Sequence, residues 1–154
     1  MTTKNTFTRF IFFILYFSLF SFLIFGMWEW MQSPFYQDIS TDFNRIVWFR
    51  IHCSLIDVLI VLGSAAFVTV IRRKLDWFVS PKIGDFALLS AGGVLYTAVS
   101  EYVNVEELQR WGYSPLMPRV PLLGIGVIPI LQWLLLPALV LLLTKNHLSG
   151  IKQD

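Results

Sequence analysis

Asp57 stands within a run of leucine, isoleucine and valine, and Glu101 closes a second apolar run. A carboxylate at the centre of a bilayer costs roughly 2.5 to 3.5 kcal/mol even on lenient insertion scales, so each needs a partner or a task. Two carboxylates near one another can act as a general acid–base pair, and His52 adds an imidazole. Asp57, Glu101 and His52 are therefore the catalytic candidates. Arg50, Arg110 and Arg119 add fixed cations, and Gln132 adds an amide at a similar depth in its own segment. A ligand-binding set follows: Arg50, His52, Asp57, Glu101, Arg110, Arg119 and Gln132.

Each member also has a purely structural reading. Asp57 can lock two helices through a hydrogen bond, and Glu101 can pair with an arginine. His52 can snorkel to the headgroups, and Gln132 reads first as interhelical glue. Glu29, between Trp28 and Trp30, reads as a membrane-boundary residue. What lifts the set is that its members collect on one side of the chain's topology.

Other chemistries find less support. His52, Asp57 and Glu101 are metal-ligand types, yet no two sit four residues apart on one helix, and no metal site is assigned. Cys53 is the single cysteine, which excludes a paired-cysteine redox motif. His52 and His147 fall at opposite ends, which excludes a bis-histidine haem within one subunit. No phosphate loop or nucleophile elbow occurs, and no cofactor is expected. The twelve basic residues are spread over loops with no basic aromatic platform, so no nucleic-acid partner is expected.

The elements that must position these residues are set by composition. The 154 residues are 56% hydrophobic and 14% charged, where soluble domains carry about 25% charged residues. The apolar residues fall in four blocks, about 10–28, 51–71, 86–103 and 122–144. Each suits a crossing of about 17 to 25 helical residues and lacks strand alternation. The expectation is an all-α, polytopic membrane protein, a single domain over 1–154 built as a four-transmembrane-helix bundle. The first block is too long for a signal-peptide core and has no small-x-small site after it, so it reads as an uncleaved anchor.

Within the second block Arg50, Cys53, Ser54, Asp57 and Ser64 share one helix face. Ser90, Gly93, Thr97, Ser100 and Glu101 share one in the third. Small residues mark helix contacts, so both carboxylates should point into the bundle and meet across the contact of helices two and three, neutralised by Arg50, Arg110 or Arg119. In the loops, Asn104 followed by Glu107, with Gly112 beyond, predicts a short interfacial helix with Trp111 and Tyr113 in an aromatic belt. Pro115, Pro118 and Pro121 predict an extended approach to helix four. Ser40 or Thr41 is the expected cap of helix two. Pro129 and Pro137 should free backbone carbonyls in helix four.

Eight basic residues (Lys4, Arg9, Arg72, Arg73, Lys74, Lys82, Lys145, Lys152) alternate with four (Arg45, Arg50, Arg110, Arg119) across the segments. The positive-inside rule then places both termini in the cytoplasm and the two longer loops outside the plasma (inner) membrane. The functional expectation is a small integral membrane protein with an outward-facing polar pocket, a binding or accessory module for a lipid headgroup, small solute or membrane partner. The alternative is a membrane-embedded hydrolase or transferase using Asp57 and Glu101 as its acid–base pair. An ion or proton pathway ranks third, because few polar residues continue inward from Asp57. Membrane lipids are the expected partners, with a partner protein or a second copy also open.

Topology is checked by labelling in a Cys53→Ser background. Single cysteines at Ser40 and Ser114 should react with an impermeant reagent on intact cells, and one at Asn146 should not. Reaction at Asn146 alone would invert the orientation.

Overall fold

The computed structural model describes residues 3–37 and 42–150. Four helices follow in order: α1 (Thr3–Met31), α2 (Phe43–Arg72), α3 (Ile83–Glu101) and α4 (Val127–Gly150). All four are long and apolar enough to cross a membrane, with spans Thr6–Met31, Phe43–Arg72, Ile83–Glu107 and Val127–Gly150. They run up and down in antiparallel sequence, and each packs on its chain neighbours, with α1 against α4 closing the ring. One end therefore carries the short 73–82 connection, and the other carries both long loops.

The helix ends show why the chain turns where it does. Asp42 caps α2, its carboxylate accepting the Asn44 N–H at 3.0 Å. The caps expected at Ser40 or Thr41 lie outside the described residues. Arg73 ends α2 in the left-handed conformation. Asp85 reaches back to the Lys82 N–H at 2.7 Å and opens α3. At this short-loop end Asp85 also pairs with Arg72 at 3.3 Å. Trp77 and Phe78 tuck under the bundle beside Phe13. The Phe13 and Phe78 rings stack at 4.1 Å, and the Trp77 indole donates to Thr69 at 2.9 Å. That end is closed by buried aromatic rings.

The long-loop end departs from expectation in three ways. No separate short helix begins at Asn104. Instead α3 widens into a π-helical turn over Tyr102–Glu107, and the Asn104 side chain donates back to the Ser100 carbonyl at 2.8 Å rather than capping. Nor do Pro115, Pro118 and Pro121 form an extended rod. The chain doubles back, with Arg119 bridged to Gly126 and the Val127 N–H on the Pro118 carbonyl at 2.8 Å. Leu122 and Gly124 take positive φ in that turn, so α4 starts at Val127, five residues later than its hydropathy suggests. Finally, Pro129 lies in the first turn of α4, where a missing N–H costs nothing; only Pro137 takes a donor from within the helix, leaving the Trp133 carbonyl without its partner.

Two short strands, β1 (Tyr36–Gln37) and β2 (Gly112–Tyr113), pair antiparallel and clasp the two long loops together. Ser114 adds two bonds to this clasp, from its N–H to Phe35 at 3.0 Å and from its hydroxyl to Pro34 at 2.7 Å.

Small residues set the helix spacing, as their shared faces predict. Gly93 on α3 lies flat against the Trp133 ring on α4, so close that a Cβ there would overlap the indole. Trp133 in turn packs on Phe25 of α1 at 5.0 Å between centroids. Gly93→Val should therefore lower stability by about 1 to 3 kcal/mol through overpacking. Gly63→Ala, at a position where a Cβ meets nothing within 4 Å, should be neutral or slightly stabilising. Thermal unfolding of the two variants in detergent, followed by tryptophan fluorescence, compares them.

Candidate functional site

Above the Trp133 floor, the long-loop end holds a cavity of about 470 Å³. Every helix contributes to it. From α1 and the turn just after it come Glu29 and Gln32, and from α2 Arg45, Arg50, His52, Cys53 and Asp57. Thr97, Ser100, Glu101 and Asn104 line it from α3 and its π turn, and Pro129, Gln132 and Trp133 from α4. Tyr36, Arg110 and Trp111 descend from the loops.

Three buried carboxylates organise the walls, each held differently. Glu29 pairs with Arg50 at 3.8 Å and accepts the Gln32 amide at 2.6 Å, while the Trp28 indole donates to Gln32 at 3.2 Å. Asp57 accepts the Gln132 amide at 2.8 Å, a bond that crosses the bundle from α4 to α2. Glu101 accepts two phenols, Tyr36 at 3.2 Å and Tyr113 at 2.5 Å. Tyr113 also accepts the Gly126 N–H at 2.8 Å, which ties the doubled-back loop to the same carboxylate.

The seven residues of the binding set separate on this geometry. Arg50, His52, Asp57, Glu101, Arg110 and Gln132 all line the one cavity. Arg119 does not; its guanidinium stacks over the far face of the site on the Tyr113 ring, 5.1 Å from the centroid. Asp57 and Glu101 share the cavity without bonding to each other, since Gln132 and the two tyrosines take their oxygens. The neutralising role expected of the arginines is also redirected. Arg50 pairs with Glu29, and Arg110 donates to Asn104 at 3.3 Å. Among the described residues, no basic side chain lies within ion-pair distance of Asp57 or Glu101. No three of His, Cys, Asp or Glu are placed to hold a metal ion, again among the described residues.

Four contributors were missed or misread in the sequence. Glu29, at the end of its span, is also a buried wall residue at 6% exposure. Its i, i+3 partner Gln32 was the local sign of an inward polar face. Tyr113 is 5% exposed and points inward, not into an aromatic belt. Tyr36 had no local signal at all, because it reaches Glu101 only through the β1–β2 pairing.

Family models, curated proteins and solved structures offer no match to this chain.

Both loop phenols hold their protons more tightly than a free tyrosine. Burial is the main cause for each, with the charge of Glu101 next for Tyr36 and the hydrogen bond to Glu101 next for Tyr113. An unfolded tyrosine ionises near 10. Their contribution to stability is thus complete below about pH 10 and is lost as the pH rises from there towards the folded values. The thermal midpoint should fall above about pH 10, and Tyr113→Phe should fall less steeply. At neutral pH the same variant should be less stable by about 1 to 3 kcal/mol, because Glu101 and the Gly126 N–H both lose a partner.

Proposed function

We propose that this chain is a small integral membrane protein whose cavity opens outward and binds a small polar group, as a binding or accessory module. Four apolar helices and the eight-to-four split of basic residues support insertion with both termini in the cytoplasm of a plasma (inner) membrane. In that orientation the long-loop end, and the cavity with it, faces the exterior.

One observation carries the reading. Asp57 and Glu101 stand in a preformed cavity at exposures of 9% and 7%, bonded to neutral donors and, among the described residues, with no basic side chain within ion-pair distance. Buried negative charge is costly unless paired, and the aromatic faces of Tyr36, Phe49, Tyr96 and Trp111 line the same space. Carboxylates ringed by aromatics favour an organic cation. The size also suits a small ligand, at the lower end of the roughly 300 to 1,000 Å³ typical of such pockets. The ligand class is a lipid headgroup or solute bearing an ammonium.

Trp111 and Trp133 line the cavity and serve as reporters. Ethanolamine or glycerophosphoethanolamine, titrated into purified protein, should give a saturable change in tryptophan emission. Asp57→Asn should fold normally, because the amide still accepts from Gln132, yet lose the response. Asp57→Leu should be destabilised by about 0.6 to 2 kcal/mol through loss of the interhelical bond. A normal response from Asp57→Asn would reduce Asp57 to a helix lock.

A further inference from the structure

The turn that leads into α4 is not built like a connector in water. From Val120 to Leu131 the chain carries no polar side chain. At the tip Leu122 is fully exposed and Leu123 is 57% exposed. Leu122 also holds the left-handed backbone conformation, at φ 71°, which glycine or asparagine adopts with far less strain. A strained leucine displayed at a loop tip points to a partner outside the described chain.

The backbone of the turn is largely satisfied from within. The Val120 N–H donates to Ile125 at 2.8 Å, the Gly124 N–H to Val120 at 3.0 Å, and Val127 to Pro118, while Pro121 has no N–H. Gly126 donates to the Tyr113 hydroxyl. Such a turn can enter the boundary of a bilayer, where headgroups and water meet the remaining amides.

Its depth follows from the helices on either side. The uncharged run of α4 from Val127 to Leu143 rises about 26 Å, against a hydrocarbon core of about 30 Å. With Lys145 at the opposite boundary, the residues just before Val127 fall at the boundary of the long-loop end. The level on α3 agrees. A Cβ on Gly124 would lie 3.5 Å from the Glu106 carboxylate, near the end of the Ile83–Glu107 span. Arg119, exposed at the base of the turn, adds a cation at the level of lipid phosphates.

We propose that the Pro121–Gly124 turn is an interfacial anchor, with Leu122 and Leu123 immersed in the lipid of the leaflet at the long-loop end. The inference rests on the reading of this chain as membrane-spanning and is independent of what the cavity binds. Because Gly126 and Tyr113 tie the turn to Glu101, the anchor also fixes the depth of the cavity's cover.

The full chain carrying Cys53→Ser receives one further substitution, Leu122→Cys, Leu59→Cys or Asn44→Cys. Each is labelled with an environment-sensitive nitrobenzoxadiazole dye and reconstituted into phosphatidylcholine vesicles with iodide on both sides. Leu59, exposed in the middle of α2, reports the bilayer interior. Asn44, exposed about 10 Å above the apolar block of α2, reports water. The dye at position 122 should emit to the blue of that at 44 and resist iodide. Lipid spin-labelled near the top of its acyl chain should quench it more than lipid labelled near the chain's end. Water-like emission with full iodide quenching at 122, beside lipid quenching at 59, would overturn the anchor alone. A blue shift at 122 without lipid quenching would assign the cover to a second copy of the chain, and would overturn it too. Absence of lipid quenching at 59 would instead refute the membrane-spanning reading on which the anchor rests.

Discussion

The 2.8 Å bond from the Gln132 amide to the Asp57 carboxyl links α4 and α2, two helices that face each other across the ring. Both side chains are almost fully buried, so each is held to the other. The bond fixes the rotation of α2 and α4 together. With Gln132 directed upward to Asp57, its neighbour Trp133 is turned onto Gly93 and Phe25. The indole then seals the level between a polar cavity above and the aliphatic core of Val61, Ala65, Leu136 and Val140 below. Removing the bond would loosen the floor as well as the wall.

The two ends of the bundle use opposite solutions for their polar groups. At the short-loop end the buried carboxylate is matched by a cation: Asp85 closes the start of α3 and pairs with Arg72, and aromatic rings pack beside it. At the long-loop end two of the three buried carboxylates accept from an amide or from phenols, and among the described residues neither has an ion pair. Neutral donors hold a carboxyl group in place without setting a cation beside it. That contrast, more than the presence of polar residues, sets the two ends of the bundle apart.

The loops are part of the site because they have no independent means of satisfying their backbone. The β1–β2 pair, the π turn after Glu101 and the doubled-back segment before α4 bond to one another, and Tyr113 joins all of them to Glu101. A two-stranded pair alone is marginal in water. Here it is anchored by a buried carboxylate, so the charge that shapes the cavity also orders the cover above it.

Much of this was determined by the sequence itself, because it depends on local periodicity. Four apolar blocks specify four helices, and the faces carrying Asp57 with Ser54 and Ser64, and Glu101 with Thr97 and Gly93, follow from 100° per residue. Those side chains are indeed buried. Six of the seven residues singled out, including Gln132 on a third helix, line one cavity. What tertiary structure alone decided is which group answers which. Arg50 went to Glu29, Arg119 to the back of Tyr113, and the carboxylates to an amide and two phenols. Such pairings join residues up to 75 positions apart, and a hydrogen bond requires a donor within about 3 Å at a suitable angle. Helical periodicity fixes the direction of a side chain but not what stands opposite it; that is set by how four helices and two loops pack together.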